Sequence, residues 1–451
     1  MKKVLLVTIL VSSLAAAGDG RLTVPYTRFI LPNGLDVIMH EDHTVPTVTV
    51  DMLFHVGSGL EKPGRTGLAH LFEHIMFEGS KNVPPGKFDV WLEAAGGVNN
   101  ASTSTDWTNY YENVPSNALE LPLFLDSDRM GFLTDGMSVE KVDAQRDVVK
   151  NERREHYENQ PYGLAPFILS ENLFPPEHPY HWPTIGSMED LSAASYDDVV
   201  GFFKTYYVPA NATLVIAGDI DPVKTKKLVE HWFSDVPAGP LVPPHPTPAA
   251  YLAEEKRVVL EDNVQLPRLY IAWHSPAYYT PGDAELDLAS ILLAGGKNSR
   301  LYKRLVYDLQ IAQDVSAYQE SRKLESIFQI IVTARAGHGL AEVETVVQEE
   351  INKLRDEPPS RREFDRSIHQ IEASFLDRLE SVEGKAYLLN SYAHYTGNPD
   401  YFNEDLARYK AIDPTDVPSI VKTYLRDTGR VILSVVPSGK PELSAAKEKT
   451  Q

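Results

Sequence analysis

Hydrophobic and polar positions along the chain change period several times, and each change predicts an element. Leu31 to Met39 alternates around an Asn33-Gly34 turn signal, which reads as a hairpin. Val45 to Val56 alternates again and runs into Gly57-Ser58-Gly59, a strand followed by a loop. Between Gly67 and Glu78 the apolar residues Leu68, Leu71, Phe72 and Met76 fall at helical spacing, so this stretch is a helix with one buried stripe. Lys87 to Ala95 keeps that spacing and Gly96-Gly97 breaks it. The run that follows, to Glu112, is rich in β-branched and aromatic residues and predicts a pair of strands with polar side chains facing a cleft. Helical periodicity returns from about Pro115 to Phe132 and from Val139 to Glu158.

Prolines at 237, 240, 243, 244, 246 and 248 remove donors and fix φ, so this stretch is an extended linker. The sequences on either side repeat each other faintly. Val45-Pro46 before a strand is echoed at Leu266-Pro267. Phe203-Lys-Thr-Tyr206, ahead of the strand Ala212 to Ala217, is echoed by Val421-Lys-Thr-Tyr424, ahead of Val431 to Val436. A near-constant offset at several anchors implies a duplicated unit. The expected class is α+β, with two tandem homologous α/β-sandwich halves, each a mainly antiparallel sheet with helices packed on one face. The expected boundaries are a leader over 1–17, an N-terminal half over 18–238, a linker over 239–252, a C-terminal half over 253–440 and a polar tail over 441–451.

Composition narrows the picture. The formal net charge is −20, which argues against nucleic acid or an anionic membrane and favours solubility or basic peptides. Cysteine is absent, so a metal site must be built from His and carboxylate. Met1-Lys2-Lys3, the apolar run Val4 to Leu14 and Ala15-Ala16-Ala17 read as a secretory signal peptide, with the bacterial periplasm as the expected address. No later apolar run has the length of about 18 residues that a membrane span needs.

The candidate chemistry sits on the first amphipathic helix. His70 and His74 are i and i+4, one above the other on one helical face, where a single zinc ion can take both. Glu73 lies beside them, within reach of the water that fills an open coordination position. The order His70-Leu-Phe-Glu-His74 is the inverted form of the H-E-x-x-H helix of zinc peptidases. Catalytic zinc takes a third protein ligand. The helix Val139–Glu158 offers Glu140, Asp143, Asp147, Glu152, Glu155 and Glu158, and the residues alone leave the choice open. If the repeat offset holds, His70, Glu73 and His74 fall on Ile291, Ala294 and Gly295, so the second half carries no metal. His156, His178 and His181 lack ligand spacing and read as structural, and Gly295-Gly296-Lys297 lacks the full phosphate-loop pattern.

His70-Leu-Phe-Glu-His74 together with Val148-Val-Lys-Asn-Glu-Arg153 resembles the pitrilysin/insulinase-type zinc metallopeptidases, the inverzincins, in the subgroup similar to mitochondrial processing peptidase. The likeness extends to Leu31-Pro-Asn-Gly-Leu35, Gly57-Ser58, Gly64 to His70, Asn100-Ala101 and Pro161-Tyr162-Gly163. It implies Glu152 as the third ligand, one Zn2+ per chain, and Glu73 as general base on the zinc-bound water of an endopeptidase. It also implies that Asn100, Ala101 and Ser102 lie on an edge strand that pairs with an extended peptide, and that the two halves enclose a clam-shell cavity.

Two positions depart from the family's pattern. Gln145 stands where many members have a second glutamate, outside the ligand set. Val306 and Gln313 stand where the second half usually supplies an Arg and a Tyr that bind the substrate carbonyl. A homologous zinc-free partner subunit in a heterodimer is therefore expected to bring them. The alternative is a non-catalytic scaffold or peptide-binding member of the same family.

Overall fold

The computed structural model describes residues 22–242, 248 and 250–445. The leader expected over 1–17 lies outside the described residues, as do 243–247 and 249 of the linker and 446–451 of the tail. The first half builds a six-stranded sheet from β1 (Thr27–Ile30), β2 (Asp36–Glu41), β3 (Thr47–Phe54), β4 (Val98–Thr103), β5 (Thr108–Pro115) and β6 (Ala212–Gly218), in the order β1-β2-β6-β3-β5-β4. The second half uses β7 (Lys256–Asp262), β8 (Arg268–Ser275), β9 (Ala312–Glu320), β10 (Ser326–Ala334) and β11 (Arg430–Pro437), in the order β7-β11-β8-β10-β9. Apart from β1 the two orders are the same, strand for strand. The closing strand of each half inserts inside the sheet, pairing parallel with β2 or β7 and antiparallel with β3 or β8. Each sheet is thus mixed, with one parallel pair.

The helices that matter for the site are α1 (Leu68–Ile75), α2 (Lys87–Ala94), α3 (Glu120–Gly136), α4 (Val139–Arg153) and α5 (Ala165–Leu173) in the first half. In the second they are α6 (Asp283–Ala294) and α7 (Val382–Thr396). Most helices cover one face of their own sheet, as the order of elements predicts. The opposite faces are closed by exchange. α5 sets Ala165, Leu169 and Leu173 against Ala272, Val431 and Leu433 of the second sheet. α7 sets Ala386, Leu389 and Tyr392 against Ile38, Val215 and Ala217 of the first. Covered on both faces, β6 and β11 are buried along their whole length, which is why they read as continuous apolar runs.

Polar contacts fix α7 to the first sheet. Lys385 Nζ meets Asp42 Oδ2 at 2.5 Å, and the stacked rings of His55 and His394 bring their Nδ1 atoms to 2.6 Å. Asn390 Nδ2 donates to the Asp51 carbonyl at 3.1 Å. After β11 the chain stays packed as far as Ala445, whose N–H donates to Ser434 Oγ.

Candidate metal centre

α1 begins abruptly. Gly67 precedes it with φ of 88°, and a Cβ there would stand 2.8 Å from the Ile185 carbonyl oxygen, so both conformation and space require glycine. No side chain of the N-cap residue satisfies the first helical N–H groups. Glu61 does so instead: its carboxylate, 2% exposed, accepts from Gly67 N at 2.9 Å and from Ala69 N at 2.7 Å. Leu68, Leu71, Phe72 and Ile75 anchor the helix in the first core, where Phe72 packs on Phe202, Phe203 and Tyr207. With that stripe buried, His70, Glu73 and His74 are left on the flank that faces α4.

α4 starts at Ser138, whose hydroxyl accepts from Lys141 N, and it is held by buried Val142 and Val149. Its last turn carries Glu152 to the two imidazoles. Glu152 Oε2 lies 3.1 Å from His74 Nε2, and Oε1 lies 3.6 Å from His70 Nε2. Among the described residues this trio is the one group of three or more such side chains able to share an ion, with donor atoms all within 4.8 Å of one another. Arg153, next in sequence, donates to the Gly186 carbonyl and lies over the Phe167 ring. The turn at Ile185-Gly186 therefore seats both the start of α1 and the end of α4. The other acids considered on this stretch do not join the trio; Glu158 pairs with Arg153 instead.

The donor set can be tested against zinc. Tetrahedral ligands with bonds of about 2.0–2.1 Å stand about 3.3 Å apart, and each imidazole nitrogen lies near that distance from one of the two Glu152 oxygens. Two imidazole nitrogens and a carboxylate are chemically what zinc takes in catalytic sites, so the residues fit. Among the described residues, His70 Nδ1 is buried without a hydrogen-bond partner, and on the other side of the ring Nε2 faces Glu152. Burial lowers the His70 pKa to about 4, opposed by the Glu152 charge, and so keeps the imidazole neutral as a ligand must be. The hydrogen bond from His74 holds the Glu152 carboxyl below its ordinary range despite burial.

Glu73 faces the trio from the same helix. Its Oε2 accepts a 2.5 Å hydrogen bond from Thr103 Oγ1, at the end of β4. Burial raises its pKa, and the Thr103 bond opposes that rise. β4 is an edge strand, so Asn100, Ala101 and Ser102 lie beside a free sheet edge next to α1. Asn100 Oδ1 accepts from the Ala101 N–H at 2.8 Å and so occupies one of the donors on this strand. Beyond Thr103, a cavity of about 700 Å3 opens between the halves, lined by Trp107, Phe167, Trp182, Arg378 and Tyr395 among others.

Gln145 donates to Glu78 Oε1 at 2.7 Å, tying α4 to the segment after α1. His178 is buried against Phe174, and His181 Nδ1 bonds the Phe174 carbonyl. His156 stands 3.7 Å from Glu152 with its side chain 65% exposed. In the second half Ile291 and Ala294 lie on α6 and Gly295 caps it, so none offers a ligand atom. Val306 packs against the second core and Gln313 is exposed. Glu61, Thr103 and Glu78 went unnoticed in the sequence because each acts across a loop or a strand, with no fixed spacing to betray it.

Residues 36–174 match the family described as Insulinase (Peptidase family M16), and residues 193–371 match the Peptidase M16 inactive domain. Zinc protease PqqE of Helicobacter pylori is 28% identical over 441 residues, covering 95% of this chain and 97% of the relative. The probable mitochondrial-processing peptidase subunit beta of Arabidopsis thaliana is 23% identical over 429 residues, 92% of this chain and 79% of the relative. The crystal structure of a protease from Helicobacter pylori aligns with a TM-score of 0.86 at 27% identity, covering 92% of this chain and 100% of that one.

Proposed function

We propose that this chain, which belongs to the insulinase family of peptidases (family M16), is a zinc-dependent endopeptidase acting on extended peptides or unfolded segments. His70, His74 and Glu152 would hold the ion, one per chain. Zinc bound there supplies a Lewis acid that polarises a carbonyl oxygen and makes water a stronger acid. Glu73 is the general base: it takes the proton of the attacking water and returns it to the departing amine. The Thr103 hydroxyl occupies Oε2 of Glu73 and so leaves Oε1 for that proton. Asn100, Ala101 and Ser102 orient the peptide as an added strand on the edge of the sheet, the Asn100 side chain giving way as it pairs. The enclosing halves keep folded proteins out.

The observation that supports this reading is the meeting of two imidazoles from α1 with a carboxylate from α4 beside Glu73. Glu73→Gln is expected to retain zinc and to lose about 10²- to 10⁴-fold in kcat/KM. Hydrolysis at the wild-type rate by that variant would remove Glu73 from the role.

Val306 and Gln313 are the basis for a partner. A homologous zinc-free subunit would contribute the Arg and Tyr this chain lacks, and the leader directs assembly to the periplasm. The same two residues favour a second reading, a non-catalytic scaffold. Metal analysis separates the two, since a scaffold needs no zinc.

A further inference from the structure

The first sheet presents a second polar pocket on the face turned away from α1. Residues directly opposite one another across strands share a face, and one such row runs Asn100, Tyr111, Asp51 through β4, β5 and β3. Thr103 and Ala101, of opposite parity on β4, turn instead toward Glu73 and the first core. α7 covers the inner strands of the outer face. Its first turns, carrying Glu383 and Tyr387, leave a cavity of about 450 Å3 above the row.

Asp51 lines this cavity while 2% exposed. Among the described residues, one of its carboxylate oxygens takes the Asn109 amide at 3.3 Å and the other has no hydrogen-bond partner. Burial pushes its carboxyl up to about 7, with Asp126 and Glu383 adding to the rise against the Asn390 and Asn109 amides. Glu383 reaches down from α7, one oxygen taking Asn113 Nδ2 at 2.9 Å. A buried acid with no ion pair among the described residues, a second acid near it and two phenol rings form a place for an organic cation. The basic group on the lining, Arg378, sits where this pocket meets the larger cavity, since it and Tyr387 line both.

We propose that this pocket receives the lysine or arginine side chain of a peptide lying along β4. The proposal rests on the reading of β4 as the peptide-binding edge. An added strand lies about 4.8 Å outside β4, and its side chains alternate between the two faces. Those on the Asn100 face lie over β4, and a lysine or arginine spans one more strand to the Tyr111 ring and Glu383. Asp51 lies behind them, and a cation held there favours its charged form. Side chains on the other face point toward Glu73, so a basic residue is preferred at alternate positions and not at their neighbours. The acidic balance of the chain draws such peptides in.

A set of quenched peptides, each with lysine at one position and norleucine elsewhere, tests this with the full zinc-loaded chain and any subunit that copurifies. At one position, or at two positions two residues apart, lysine is expected to raise kcat/KM over norleucine about tenfold. Glu383→Gln and Asp51→Asn should each shrink that ratio toward one, and Glu383→Lys should invert it, every variant being compared with its own norleucine peptide. Glu383 is exposed, so its variants carry the test if Asp51→Asn fails to fold. A flat wild-type profile, or a preference that survives both Glu383 variants, overturns the proposal. If no peptide is cut at all, the peptidase reading fails separately. Fluorescence anisotropy of the same peptides then decides the pocket: a lysine preference lost in Glu383→Gln upholds it, and equal binding of lysine and norleucine peptides ends it.

Discussion

Glu73 depends on one hydroxyl. Thr103 Oγ1 holds Oε2 at 2.5 Å, and no other side chain of the described residues bonds to this carboxylate. Thr103→Val keeps the shape of the side chain and removes the donor. It is expected to lower kcat about tenfold with KM little changed, as loss of a supporting hydrogen bond at a metal site does; steady-state kinetics checks this, and Thr103→Ser should recover most of the loss. At this scale the sequence carried part of the site. His70, Glu73 and His74 could be grouped from helical spacing alone, because i, i+3 and i+4 share a flank whatever the surrounding fold. Glu152 could not, since six acids on one helix all satisfy the same local rule. Only the packing of α4 against α1 distinguishes them.

Among the elements, α1 is the one whose ends matter most. Its first N–H groups have a buried carboxylate from six and eight residues upstream as acceptor, where a Ser or Asp N-cap would ordinarily serve. Glu61→Ala leaves those donors unpaired. It is expected to destabilise the fold by about 3 kcal/mol and to weaken zinc binding about tenfold, read by chemical denaturation and by competition with a chelator. Unaltered zinc affinity would mean that the start of α1 does not control its histidines. The shared seat at Ile185-Gly186 suggests why the pair of helices keeps its spacing, as one turn contacts both. Hairpin, strand pair and helices were legible from period and turn chemistry, whereas the edge position of β4 came only from the family resemblance. The parallel pairing of β6 and β11 was not, because a continuous apolar run declares burial on both faces and says nothing of direction.

For the whole molecule the exchanged helices are the main feature. Because α7 belongs in sequence to the second half but packs on the first sheet, the halves cannot separate without uncovering both cores. The repeat was visible in faint echoes, whereas this exchange leaves no trace in periodicity. Its junction carries a pH dependence. Burial lowers the His55 pKa to about 4 and that of His394 well below its ordinary value. Both are neutral when folded, while the unfolded chain takes up protons below about pH 6.5. Stability is thus fully present above pH 6.5 and falls as pH drops toward 4, by up to about 3 kcal/mol for His55. Urea melts at pH 7 and pH 5 should show that loss, and His55→Gln should reduce it; equal slopes in both proteins would exclude the pair as its source. The chemistry of the molecule depends on α1 and α4 holding one ion between them. Zinc content of the purified wild-type, Glu73→Gln and Glu152→Gln proteins, measured side by side, tests this most directly. The prediction is about one zinc per chain in the first two and a large loss in the third; full zinc in Glu152→Gln, or none in the wild type, would contradict it.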